Sequence, residues 1–590
     1  MPDPGSQPEL FGERQPLLGT TAASSPTHPR EAHEADRGTD VFSVPFPDAD
    51  SGPEVAVGSN HVSPEGTISP FRGVCIMLSM WTLIFIQSSN MSGITMIQSK
   101  VAEDLDADEE VMWFAGAYLI ALSALTPVIG RLATIFAPRN IVVPVSLLVA
   151  AGSAITASAT AFARFTVGRV VTGMGGAGVL TLSMIFVLQL ISKERRGMYM
   201  ALVNMGFTAG LSFGAIMYGA LLPCIGWRAI FWAQALVSVA AGAGVYLSVP
   251  ESSHPRKKLN DGMSTAQKLA SIDYVGVVAL TTTISLFLYA LIGDIRPYCI
   301  ALSFLFLGVF VLWECRFATD PIIPLKILSS KDVLYTCFAQ LIFVSTRWSL
   351  LYYGPIFMLV VKSFSPSVSG SILIPTNIGF GGGGLLIGWL HIRHHGSFWL
   401  SSVLSLAIFC LTLVLVASSG STSSPTWLFV LYVFLNGLAT GGGVNYTLAH
   451  MLHLTSPDVH FVSTSLLGMF RGFGGSFGTA IGGGYFMRLL KSLLTEGFAR
   501  LDGGVISPRH EDLVVKLAGR PSFVFDGGLS ANEETIARNG YAAALQQTWR
   551  MAALVGLAAI VLQGMCGWRA PDESNEAGDG DIADNERSDD

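Results

Sequence analysis

The chain has 590 residues, is 51% hydrophobic and only 13% charged, with a formal net charge of −7. Water-soluble domains carry about twice that charged fraction, so water is excluded as the solvent for most of this polypeptide and a lipid-facing surface is expected. No basic block points to nucleic acid, and the seven cysteines include no CxxC pair, which leaves neither a disulfide framework nor a zinc site to expect.

Residues 1–70 are rich in Pro, Ser, Asp and Glu and predict a disordered cytoplasmic tail. No secretory signal opens the chain, so the first apolar run is expected to act as both signal and span. Within the tail, Glu13-Arg14-Gln15-Pro16-Leu17-Leu18 resembles an acidic dileucine sorting signal, with Glu13, Leu17 and Leu18 carrying the match. Such signals direct membrane proteins to vacuoles or lysosomes through a sorting adaptor.

A span needs roughly 20 apolar residues. Fourteen runs qualify: 71–97, 111–131, 141–161, 165–190, 199–222, 228–249, 273–292, 298–315, 333–361, 367–390, 398–418, 426–449, 461–486 and 549–568. Twelve is the competing count, because 298–315 is short and 398–418 runs into a Ser/Thr-rich turn. With both ends cytoplasmic, the inner loops carry twelve Lys and Arg residues (Arg139, Lys193, Arg195, Arg196, Arg256, Lys257, Lys258, Lys268, Arg316, Lys326, Lys331, Arg393). The short outer loops carry five (Lys100, Arg164, Arg228, Arg296, Lys362). That bias supports an even count and a cytoplasmic N-terminus. The segment 487–548 is then expected to be a long non-cytoplasmic loop, facing outside or into a lumen, whose stretch Ala531–Trp549 predicts a helix with Ile536, Tyr541 and Leu545 on one face.

Several motifs follow one another along these spans. Trp113 and Tyr118 form a W…AY opening of span two, and Gly168-Arg169-Val170-Val171-Thr172-Gly173-Met174-Gly175 is an Arg followed by a Gly-rich run in span four. Gly210, Gly214 and Gly219 stud span five, before Trp227-Arg228-Ala229-Ile230-Phe231-Trp232. Ile272-Asp273-Tyr274-Val275-Gly276, Pro321-Ile322-Ile323-Pro324-Leu325 and Arg471-Gly472-Phe473-Gly474-Gly475-Ser476-Phe477-Gly478 come later. In order and spacing, across 71–568, the set resembles the major facilitator superfamily, in the fungal-type branch of its fourteen-span drug:proton antiporter group. The resemblance implies an all-α integral membrane fold of 14 transmembrane helices. A six-helix bundle would occupy 71–249, a cytoplasmic loop and two linker helices 250–332, and a second bundle 333–568. Residues 569–590 would be a disordered acidic tail. Substrate would sit between bundles that rock in alternating access.

The resemblance also sets departures in view. Asn90 stands where relatives carry an acidic residue in span one. The loop motif GxLADRxGR reads Gly130-Arg131-Leu132-Ala133-Thr134-Ile135-Phe136-Ala137-Pro138-Arg139, without its Asp, and the Pro of the antiporter motif is Ala215. No carboxylate lies mid-span in spans 1–6. Proton transfer needs a group whose pKa can be tuned at depth, so proton coupling and uniport both stay open.

Arginines at membrane depth are expensive and should face an interior or a watery cavity. Arg169 falls in the region that the resemblance gives to proton coupling. Arg471 reads equally as a functional cation or as a helix tie, and Arg347, beside Trp348, Tyr352 and Tyr353, could hold an anionic or aromatic substrate but reads rather as a packed or snorkelling residue. The remaining polar inventory is neutral: Gln87, Asn90, Asn377, Asn436 and Asn445, with Trp113 and Tyr118 as aromatic walls. A few polar groups on apolar walls suit an amphipathic organic substrate. Gly130, Arg139, Gly173, Gly210, Gly214 and Gly219 are the candidates for conformational coupling through close helix crossing. His391, His394 and His395 read as a solvated loop, because no carboxylate or Cys accompanies them.

The reading is a secondary transporter that exports or sequesters small organic molecules, of the multidrug or toxin efflux type. A vacuolar carrier for basic amino acids is the alternative, and a non-transporting sensor on the same fold the third. No cofactor loop and no nucleophile–base constellation suggests an enzyme.

Overall fold

The computed structural model describes residues 70–191, 196–250, 267–268, 272–292, 295–317, 330–390, 398–455, 460–525 and 528–567. The dileucine motif, the 318–329 and 391–397 segments and both tails lie outside them. Among the described residues every regular element is a helix. In chain order they are α1 (Pro70–Ser92), α2 (Ile94–Leu105), α3 (Val111–Ile135), α4 (Pro138–Ala157), α5 (Phe162–Leu190) and α6 (Arg196–Ser248). Then come α7 (Tyr274–Leu291), α8 (Pro297–Arg316), α9 (Lys331–Val360), the short α10 (Pro366–Gly370), α11 (Leu373–Leu390) and α12 (Trp399–Ser418). Last are α13 (Thr426–Leu454), α14 (His460–Leu501), α15 (Pro508–Gly519), a 3-10 turn (Pro521–Phe525) and α16 (Ala531–Met565). Eleven helical stretches are long and apolar enough to cross a membrane.

Local chemistry starts and stops these helices. Pro138, Pro297, Pro366 and Pro508 sit in the first turn, where a missing N–H costs nothing. Asp273 caps α7 by accepting from Gly276 N at 2.9 Å and also takes the Trp313 indole N–H at 2.8 Å, which accounts for the polar opening of that span. Ser530 and Glu533 close a capping box on α16. The 53-residue α6 would be about 80 Å long if straight, far more than a bilayer core. It breaks at Gly226, whose φ of 72° and ψ of 163° leave the helical region, so runs 199–222 and 228–249 form two limbs without an intervening loop.

Two expectations need correction. The first run divides into two helices, α1 ending at Ser92 and α2 beginning at Ile94, although Gly93 between them keeps helical dihedrals (φ −66°, ψ −31°); its missing side chain makes room for the Tyr218 ring, 2.5 Å from where a Cβ would stand. The 487–548 segment is not mainly loop. Helix α14 runs 15 residues past 486 to Leu501, and the helix expected from Ala531 continues unbroken into the last span as α16. At 42 residues α14 is about 60 Å long, twice a bilayer core, so its end projects beyond it.

The helices pack as two clusters. In one, α1 lies along α6 and α5 lies against α3 and α4; in the other, α9 packs on α14 and α16, and α13 on α11 and α12. Helices α7 and α8 pair with each other and touch α3 and α14. Helix α8 turns Phe304, Leu305 and Leu312 outward, each more than half exposed, a surface that is stable only against lipid. The cores are arranged unequally along the molecule. Near α2, α15 and α16, one continuous core joins Phe114, Tyr218 and Trp227 to Tyr353, Phe357 and Trp549. At the opposite end the first cluster has its own core, around Ile76, Val142, Leu182 and Val245, and a separate core surrounds α7. The largest core thus joins the two clusters near one end, and the α7 core also takes in Ala124 of α3 with Val333 of α9 and Phe473 of α14.

Candidate functional site

Two buried arginines organise the interior. Gly173, Gly175 and Gly168 let α5 press on α3 and α4: a Cβ at Gly175 would stand 2.6 Å from Val149 N, and one at Gly168 equally close to Thr156 N. That approach drives Arg169 into the first cluster, where it is 1% exposed. Its Nε donates to Phe114 O at 2.8 Å, Nη1 to Asn90 Oδ1 at 2.8 Å and Nη2 to Asn90 O at 3.2 Å. The Tyr118 ring lies 4.7 Å from the guanidinium carbon and Phe231 lies 6.0 Å away. Asn90 passes the network on, donating to Gln234 Oε1 at 3.0 Å, and Gln234 Nε2 donates to the Tyr218 hydroxyl. Tyr118 donates to Gln87 O at 3.1 Å, while the Gln87 Oε1, buried, has no partner. Neutral oxygens alone thus hold Arg169, and Asn90 fills the position that the resemblance reserves for an acid.

The second arginine sits at the seam between clusters. Arg347 on α9 donates from Nη2 to Asn377 Oδ1 of α11 at 3.2 Å. Asn377 Nδ2 donates in turn to Ser212 Oγ of α6 at 2.7 Å. All three residues are buried, and this chain crosses from one cluster to the other inside an apolar core. The ring over Arg347 is Phe380, 4.4 Å from the guanidinium carbon, not the flanking aromatics singled out in the sequence. Nη1 has no partner.

Other candidates lie elsewhere. Trp113 packs at a tilt of 44° against Tyr289 of α7, 5.3 Å between centroids, so it faces outward toward the paired helices. Asn445 Nδ2 returns to Gly441 O within α13, and Asn436 Nδ2 reaches Thr412 on α12. Arg471 is half-buried with its Nε unpartnered and joins neither network. Gly210 and Gly214 bring α6 onto Ser88 and Ser89 of α1. Gly219 acts farther out: a Cβ there would lie 2.8 Å from the Pro366 carbonyl carbon, and one on Gly370 would lie 2.8 Å from Ala215 C, so these glycines bring the two clusters into backbone contact. Gly130 has only Thr181 Cγ2 nearby, at 3.8 Å, and Arg139 ties to Tyr246 O at 2.9 Å.

Sequence reasoning missed Gln234, Tyr218 and Ser212, single polar groups in apolar helices with no periodic signal. It also missed why Trp227 and Arg228 follow Gly226. Both donate to Asp104 Oδ2, at 2.8 and 3.2 Å, and fasten the α6 break to the end of α2. Burial alone would raise the Asp104 pKa; the bonds from Trp227 and Lys100 outweigh it and hold the carboxyl below its ordinary value.

The joined end is held by further ties. Arg520 Nε lies 2.5 Å from Asp108 Oδ1 and Ser522 N donates to Ser99 Oγ at 3.2 Å, while at the middle of α3 the Ser123 and Ser476 hydroxyls meet at 2.5 Å against α14. Between them lies a crevice lined by Gln98, Met112, Leu119, Tyr352 and Tyr541. Beside it, His510 lies between Asp502 (Nδ1–Oδ2 2.7 Å) and Glu533 (Nε2–Oε1 3.1 Å), with Arg509 on the same Glu533 oxygen at 3.0 Å.

A family model described as the Major Facilitator Superfamily matches residues 80–479. The chain belongs to that superfamily. It is similar along most of its length to curated transporters of the family. An MFS-type transporter of Metarhizium majus is 25% identical over 84% of each chain. A multidrug resistance protein of Schizosaccharomyces pombe is 24% identical over 82% of this chain and 90% of that protein. A vacuolar basic amino acid transporter of Saccharomyces cerevisiae is 26% identical over 53% of this chain and 56% of its own. Among solved folds, a bacterial homologue of the human lysosomal transporter Spinster, inward-facing and unoccupied, superposes with a TM-score of 0.55 at 15% identity, covering 85% of this chain and 98% of that one. This superfamily member is therefore a multi-pass membrane transporter and not an enzyme.

Proposed function

We propose that this transporter is a secondary carrier that exports, or sequesters in a vacuole-like compartment, small amphipathic organic molecules by alternating access. The observation that carries the reading is the buried chain Arg347–Asn377–Ser212, a polar site on the seam between the two clusters. A site on a seam is exposed to one side or the other as the halves rock. Arg169, Asn90, Gln87 and Tyr118 would set the shape and polarity of the first cluster beside it. Two relatives, the Schizosaccharomyces pombe protein and the Saccharomyces cerevisiae transporter, carry names that fit efflux and vacuolar storage.

Counting the limbs of α6 separately, and adding α9 and α14, gives fourteen crossings. The charge bias of the loops then places both chain ends in the cytoplasm and the joined end outside or in a lumen. Glu13, Leu17 and Leu18 would engage a sorting adaptor. Replacing Leu17 and Leu18 by Ala should move the protein to the cell surface, and an unchanged distribution would remove the signal. The test of transport is dye flux in proteoliposomes with and without a pH gradient. Stimulation by the gradient supports proton antiport, indifference supports uniport, and no protein-dependent flux ends the carrier reading.

A further inference from the structure

We propose that Arg347 binds the anionic group of the cargo, so that the carrier selects aromatic organic anions over cations; this rests on the carrier reading above. The guanidinium is 6% exposed in the core that joins the clusters. Nη2 has one neutral partner, Asn377 Oδ1 at 3.2 Å, and Nη1 has none. A guanidinium cannot shed its proton to escape burial. One neutral hydrogen bond leaves most of its desolvation uncompensated. Arg169 gives the internal comparison: the same residue type, at similar burial, has three oxygens in reach. Arg347 is the incompletely coordinated cation of the pair.

Nothing nearby neutralises it. Among the described residues no carboxylate forms an ion pair with Arg169, Arg347 or Arg471, so none of the three guanidiniums is held by an opposite charge. A carboxylate on the cargo supplies both missing elements, an acceptor for Nη1 and a balancing charge, in the fork geometry that guanidinium favours. Phe380, 4.4 Å away, offers a flat apolar wall for an attached ring. Asn377 links the bound group to Ser212 of the opposite cluster, so occupancy and the closing of the seam share one hydrogen-bonded chain. A cationic cargo, a basic amino acid included, meets an unbalanced positive charge here.

The test uses the full chain in phosphatidylcholine vesicles and two dyes with one xanthene core, anionic carboxyfluorescein and cationic rhodamine 6G. The expected result is saturable flux of carboxyfluorescein and none of rhodamine 6G. Arg347→Gln should raise the KM for carboxyfluorescein about tenfold or more, the usual worth of a charge-assisted pair. Because Arg347→Gln can also loosen packing, the second variant is Asn377→Asp, which places a carboxylate on Arg347. It should raise thermal stability and still weaken carboxyfluorescein flux, which a purely structural Arg347 would not do. Flux of rhodamine 6G alone, or an unchanged carboxyfluorescein KM in both variants, overturns the proposal and leaves the carrier reading standing. Flux of neither dye overturns both. Competition by added phosphatidylglycerol would assign the site to a lipid phosphate and overturn a soluble cargo.

Discussion

Asn90 accepts two hydrogen bonds from the Arg169 guanidinium and donates one to Gln234, and the smallest changes there have the clearest consequences. Asn90→Ala leaves Arg169 Nη1 without an acceptor in a buried site, at a cost of about 1–3 kcal/mol, which a melting curve in detergent should register. Arg169→Ala should abolish dye flux while membrane insertion and yield stay normal; unchanged flux would remove Arg169 from the mechanism. The arginines were visible in the sequence because charge at membrane depth is rare. Their partners were not, since Gln234, Tyr218 and Ser212 differ from hundreds of structural polar groups only by where the fold puts them.

At the scale of the element, the α6 break and the 487–548 cap are the two informative cases. Gly226 holds φ 72° with nothing within 4 Å of a would-be Cβ. Gly226→Ala should therefore cost only the conformational penalty of a region that essentially only glycine adopts, about 1–3 kcal/mol, with no added clash; a larger loss in thermal unfolding would contradict this account of the break. The apolar run lengths made both limbs legible, but not their continuity. In the cap, the hydrogen bond with Asp502, joined by Glu533, raises the His510 pKa above its ordinary value. A raised pKa in the folded state means that the stabilisation is complete below the ordinary histidine value of about 6.5 and is lost as pH rises through the raised value. The cap should resist protease better at mildly acidic than at alkaline pH, and His510→Ala should flatten that dependence. Only half of the cap was readable, from the spacing of Ile536, Tyr541 and Leu545; the ion cluster joins Asp502, Arg509, His510 and Glu533 from three neighbouring segments whose spacing follows no helical or strand period.

The two halves are tied near one end through Arg520–Asp108, Gly219–Pro366 and Gly370–Ala215, and at the middle of α3 through Ser123–Ser476. These ties could not be read from any one span, because they are relations between the two clusters. The spans and family motifs were readable because hydrocarbon demands long apolar runs and close crossings demand glycine. The account stands on the halves parting at those ties in every transport cycle. The most direct measurement is dye flux through a chain with its native cysteines replaced and Ser123→Cys and Ser476→Cys introduced, since hydroxyls 2.5 Å apart leave room for a disulfide. Flux should stop on oxidation and return on reduction. Flux that continues undiminished through a fully cross-linked chain would contradict it.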